Sequence, residues 1–178
     1  MTRIRRACLA LFVGILTAGC GTATPPTAAT PPVSEPVAQL VLQPATDRPI
    51  VTFSGLVNGG QPLAVDLASL DALPNQTLTV VEPFLMQSIT FTGVGFSDLL
   101  NAATATGQSI RLHALDDYEV ILDLAVLAEP GVMLATHADG KPIDGASGGP
   151  ARLVFPAESE SGKDTDLWVW SIDHITVE

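Results

Sequence analysis

The chain has 178 residues, with 8 basic against 19 acidic side chains, a formal net charge of −11 and 47% hydrophobic residues. A surface of that sign repels nucleic acid and anionic lipid headgroups, which excludes nucleic-acid binding as a function. The only cysteines are Cys8 and Cys20, both near the N-terminus, so no disulfide is expected to staple the body of the protein.

Residues 1–19 read as an export signal. Arg3, Arg5 and Arg6 form a basic start, and Ala7 to Ala18 are almost wholly apolar. That run is shorter than the roughly 20 residues a permanent membrane helix needs, which fits a cleaved leader. Leu16-Thr17-Ala18-Gly19-Cys20 then resembles the bacterial lipobox, in which small residues let a peptidase grip the chain and the thiol carries the lipid. Cys20 is therefore the expected lipid-attachment site and first mature residue. Without the leader, five basic residues remain against nineteen carboxylates, a net charge of −14.

Residues 20–47 are rich in Thr, Ala and Pro, with Pro-Pro pairs at 25–26 and 31–32. Such composition favours extended polyproline II and makes a semi-stiff tether. Val37–Leu42 is an apolar island at its end, either the end of the tether or a short edge strand on the domain. Residues 48–178, about 130 in number, are enough for one genuine core. Ile50–Val57 suits a strand, Asn58-Gly59-Gly60 a turn and Pro62–Val65 a return strand. Asp66 is placed to cap a short helix over Asp66–Leu73, ended by Pro74. Strands follow at Thr77–Val81 and Ser88–Thr92. Phe96, Leu99, Leu100 and Ala103 then share one helical face over Phe96–Ala105, with Gly95 or Ser97 as cap and Gly107 as terminator. Ser109–Ala114 and Tyr118–Leu122 flank an Asp116-Asp117 turn, and Leu124–Leu127 makes a brief helix. Strands at Val132–Thr136, Arg152–Phe155 and Trp168–Val177 complete the set. The expected fold is α+β, a mixed sheet with short helices. The Trp168-Val169-Trp170 alternation suits core and sheet-edge packing better than a ligand platform.

Several of these segments, in order, resemble the sulfite-oxidase-type molybdopterin-binding domain family. Phe53–Val57 with Leu63–Leu73 resembles its opening strand, hairpin and helix. Thr92–Leu100, TGVGFSDLL, resembles the family's W-x-G-V-x-x-x-D-L-L segment, with Thr90 or Phe91 where tryptophan is usual. Asp116-Asp117-Tyr118 resembles its D-G-Y turn, Asp117 replacing glycine. Met133–Pro156 resembles the long stretch ending in G-x-P-x-R-L-v-v-P, and Trp168–Val177 its closing strand. The resemblance spans about residues 50–178 and implies a molybdopterin-binding-like fold. Catalytic members of the family hold molybdenum through a cysteine thiolate between the first helix and the G-V segment. Here that region is Thr79–Thr92, TVVEPFLMQSITFT, without cysteine. Molybdenum is soft enough to want the thiolate, and neither Glu82 nor Met86 replaces it.

The resemblance also implies a pterin phosphate held by basic side chains and backbone donors. Arg111, His113, Gly148, Gly149 and Arg152 are the candidates for cofactor binding. Arg152 fits the family's Arg before Leu-Val, although pairing with a carboxylate or with turn carbonyls near Gly148-Gly149 is the plainer role. Arg111 and His113 are two residues apart on a strand and so face one side, as donors to an anion or as a solvated face. Ser147-Gly148-Gly149 lacks the Lys-Ser/Thr pair of a phosphate loop and reads as a turn. His137 and His174 have no acidic or cysteine companion at metal spacing, so no metal site is expected. No catalytic residue is assigned, since no Gly-x-Ser-x-Gly elbow is present and Ser88, Ser97 and Ser147 lack a nearby base.

The sequence thus points to a lipoprotein held at the extracytoplasmic face of a cell membrane, periplasmic or cell-surface, through acylated Cys20. Its molybdopterin-oxidoreductase-like domain is expected to bind, sense or assist, without catalysis. No cofactor is expected, molybdopterin being the one the resemblance allows, and a membrane redox or signalling protein is the candidate partner. The rival readings are a molybdopterin-dependent oxidoreductase with atypical metal ligation and a structural envelope lipoprotein.

Overall fold

The computed structural model describes residues 40–178. The leader 1–19, the lipid-attachment residue Cys20 and most of the tether 20–47 lie outside the described residues. Ten strands and three short helices follow in chain order: β1 (Val51–Gly55), β2 (Leu63–Val65), α1 (Leu67–Asp71), β3 (Asn75–Glu82), β4 (Gln87–Gly95), α2 (Phe96–Ala102), β5 (Ser109–Ala114), β6 (Glu119–Asp123), α3 (Leu124–Leu127), β7 (Met133–Ala138), β8 (Lys141–Pro142), β9 (Arg152–Val154) and β10 (Ile172–Val177).

They form two sheets. The first has the order β2-β1-β10-β5-β6, with β1 parallel to β10 and the other pairs antiparallel. The second is antiparallel, β3-β4-β7-β8, with β9 also pairing β7. The α+β architecture with mixed pairing matches the sequence expectation. Local chemistry explains each piece. β5 alternates buried Ile110, Leu112 and Ala114 with outward Ser109, Arg111 and His113, the period of a half-covered strand. β7 is buried without a break from Met133 to Thr136, as a strand between two neighbours and under the core should be. One apolar cluster draws Phe53, Ile110 and Ile175 from the first sheet, Phe91, Leu134 and Leu153 from the second, and Phe96 and Leu99 from α2. Each such side chain contributes roughly 1.5–3 kcal/mol on full burial.

Several strand and helix ends shift by a few residues from the sequence reading, and three differences have a clear physical cause. The helix expected to run to Ala105 stops at Ala102, and the left-handed residue beyond it is Thr104 (φ 50°), not Gly107. Gly107 serves close approach instead, because a Cβ there would lie 2.3 Å from the Glu178 carbonyl oxygen. Trp168–Ser171 is not strand. Ser171 takes φ 54°, which breaks the extended run, and pairing begins only at Ile172. Finally, the described end of the Val37–Leu42 island docks without strand pairing. Leu42 is 3% exposed, and its N–H donates to the Ala102 carbonyl at 3.0 Å.

Candidate functional site

The segment that would carry a metal-ligating thiolate forms the end of β3, the turn Pro83–Met86 and β4, with Met86 at φ 53°. Glu82 closes β3 fully buried. One carboxylate oxygen accepts the backbone N–H groups of Phe84 and Leu85, at 2.9 and 2.5 Å. The other accepts from Arg152 Nη2 at 2.8 Å. Arg152 enters from β9 and is itself 2% exposed. Its guanidinium carbon lies 3.8 Å from the centre of the Trp170 ring and 5.2 Å from that of Phe91, a stacked arrangement that a delocalised cation tolerates. Burial pushes the Arg152 pKa down, and the Glu82 charge opposes it. Phe84 meets Trp170 edge-on at 5.7 Å. Gly148, at φ 81°, lets the loop lie on the same ring, since a Cβ there would come 2.8 Å from it. Two buried donors in this assembly, Arg152 Nε and Trp170 Nε1, have no partner among the described residues.

Two surface cavities flank the assembly. One of about 370 Å³ is lined by Leu85, Lys141, Asp144, Ser147 and Arg152 among others. The other, of about 390 Å³, is lined by Phe84, Tyr118, Asp166, Trp168 and Trp170. Phe84, Leu85 and Met86 project exposed from the hairpin tip between them.

The sequence-derived cofactor residues divide among three places. Gly148 and Arg152 belong to the Trp170 assembly, and Gly149 lines a third cavity of about 450 Å³. Arg111 and His113 do face one side of β5, but each is engaged by carboxylates. Arg111 donates from Nε to Glu178 at 3.0 Å and from Nη1 to Glu119 at 3.5 Å. His113 Nδ1 lies 2.7 Å from Asp173 Oδ1. That hydrogen bond, with the surrounding negative charge, raises the His113 pKa against the effect of burial. At Asp173 burial acts upward, yet hydrogen bonds from His113 and His174 outweigh it and leave the pKa lowered. The two basic side chains of β5 are thus each paired with carboxylates of their own sheet or of the chain end. Glu82 and Trp170 are the residues whose joint role the sequence reading missed. A carboxylate ending an apolar strand was the available signal, because a buried acid demands a cationic or N–H partner.

The comparisons with known proteins agree with this architecture. Residues 50–163 match the family described as oxidoreductase molybdopterin binding domain. Among solved structures, the crystal structure of the sulfane dehydrogenase SoxCD from Paracoccus pantotrophus is similar, with a TM-score of 0.57 and 21% identity. The likeness covers 71% of this chain and 37% of that one, so this chain spans little more than a third of its neighbour's length. No curated protein matches by sequence. With the family match covering more than half of its length, the chain belongs to the oxidoreductase molybdopterin-binding domain family.

Proposed function

We propose that the chain is a membrane-tethered, extracytoplasmic member of this family whose domain works as a binding or accessory module and not as an oxidoreductase. The observation that carries the reading is the Glu82–Arg152 pair, closed over by Trp170 and Phe91. The donor set does not fit a molybdenum-bearing pterin. Residues 50–163 contain no cysteine, so the soft ligand is missing. Arg152, the basic residue that best fits the family pattern, has its charge matched by Glu82 and its faces covered by aromatic rings. Arg111 and His113 are matched by Glu178, Glu119 and Asp173. A binding role is supported by the exposed Phe84-Leu85-Met86 tip beside an aromatic-lined cavity, since contiguous apolar surface of this kind marks interaction sites.

The test is metal and pterin content. Protein purified from cells that make molybdopterin is expected to hold molybdenum far below one atom per chain, by elemental analysis, and to release no pterin fluorescence on denaturation. Near-stoichiometric molybdenum would overturn the reading. One observation favours a second reading: the unpartnered Arg152 Nε and Trp170 Nε1 are donors a polar ligand would satisfy. Pterin without metal would support it, as a cofactor-sensing role, and Arg152→Ala should then remove the pterin.

A further inference from the structure

On the outer face of the first sheet, β5 and β10 bring together three side chains that the Trp170 assembly does not use. His113 and His174 are direct cross-strand partners. Their rings meet edge-on at 5.9 Å. Asp173 lies between them, with Oδ1 2.7 Å from His113 Nδ1 and Oδ2 3.3 Å from His174 Nδ1. Regular alternation from the buried Ile175 would turn Asp173 into the core. A bulge between Ile172 and His174 prevents this and leaves Asp173 and His174 on the same side as His113. Bulges re-aim side chains in this way beside functional sites.

We propose that His113, Asp173 and His174 form a binding site for a divalent transition-metal ion of the zinc type. One nitrogen from each imidazole and one carboxylate oxygen all lie within 4.8 Å of one another. Bonds of about 2.0–2.2 Å to a tetrahedral ion place its ligands roughly 3.4 Å apart, so partly exposed side chains reach that geometry by small rotations. Two imidazoles and one carboxylate match the borderline softness of zinc, whereas calcium and magnesium prefer all-oxygen sets. The surroundings suit a cation. Asp117 Oδ1 is 3.7 Å from His113 Nε2, and Glu119 pairs across from His113 on β6. Three protein ligands leave a coordination position open. Asp173 and His174 line the 450 Å³ cavity that also contains Gly149, so a water or small ligand has room beside the ion.

The experiment is calorimetric titration of Zn²⁺ into the full chain and its variants at neutral pH. One site is expected, weakened about tenfold or more by His113→Ala, Asp173→Asn or His174→Ala, because loss of a ligand should cost at least as much as loss of a supporting partner. His137→Ala should leave the affinity unchanged. Any binding at the Cys8 and Cys20 thiols persists in all variants and is subtracted. Chelator-treated variants are first checked for a cooperative melt. Imidazole NMR of the wild type gives a second readout, in which zinc should shift the His113 and His174 ring signals and spare those of His137. The proposal is overturned if the three ligand variants bind as the wild type does, or if binding is weaker than about 100 µM.

Discussion

Glu82 is a carboxylate without solvent exposure, and its partner Arg152 is nearly as buried. Removing two charges from water costs several kcal/mol per ion, which their attraction recovers only when both are present. Glu82→Leu should therefore destabilise the domain by about 3–5 kcal/mol, leaving a guanidinium stranded under Trp170 and Phe91. Arg152→Met alone should cost a similar amount by stranding the acid. The double variant Glu82→Leu with Arg152→Met should recover much of either loss, because apolar groups of similar size can replace a buried pair. Chemical denaturation of the four proteins closes the cycle. Single losses that simply add in the double variant would mean the two residues act independently. Recovery will not be complete, since Glu82 also holds the Phe84 and Leu85 N–H groups, which must then turn to water.

Asp66 shows the same chemistry at the start of a helix. It caps α1 through the Ser69 N–H at 2.8 Å and hydroxyl at 2.6 Å, and its other oxygen accepts the N–H groups of Thr46 and Asp47. Those hydrogen bonds, the Ser69 hydroxyl foremost, hold its pKa well below the usual carboxylate value of 3.8. A depressed pKa in the folded state gives stability that is fully present above 3.8 and is lost as pH falls through the folded value. Asn keeps the cap but not the charge. Asp66→Asn should thus melt below the wild type at neutral pH, with the gap shrinking below about pH 4. Thermal melts across pH would show a constant gap if the charge does not matter. This cap was legible in the sequence because its partners are three residues away. The strands were legible for a similar reason, since period-two burial in β5 and the continuous apolar run in β7 are local patterns. The site was less so. Glu82 and Arg152 are 70 residues apart and His113 and Asp173 are 60 apart. Their meetings depend on sheet order and on one bulge, which spacing along the chain does not encode. His174 read as isolated because its histidine companion, His113, lies on another strand, although Asp173 precedes it in the chain.

At the scale of the whole molecule, charge and the proposed attachment pull in opposite directions. Without the expected leader the net charge would be −14, five basic residues against nineteen acidic ones, a sign that anionic headgroups repel. Three of the five, Arg111, Arg152 and Lys163, are paired with carboxylates, so a basic patch able to grip a membrane is not on offer from them. Under the proposed lipid attachment, membrane residence would come from acyl chains on Cys20, each buried methylene contributing roughly 0.8 kcal/mol. Cys20→Ser removes the only thiol in the lipobox-like segment without touching the domain. The wild type should sediment with membranes and need detergent for release. The serine variant should stay unprocessed or appear in the soluble fraction, with the domain's melting temperature unchanged. A serine variant that still sediments like the wild type, resisting both high salt and alkaline washes, would place the attachment elsewhere. Salt sensitivity separates the two forces involved, because charge-driven association weakens as the Debye length shrinks and an acyl anchor does not.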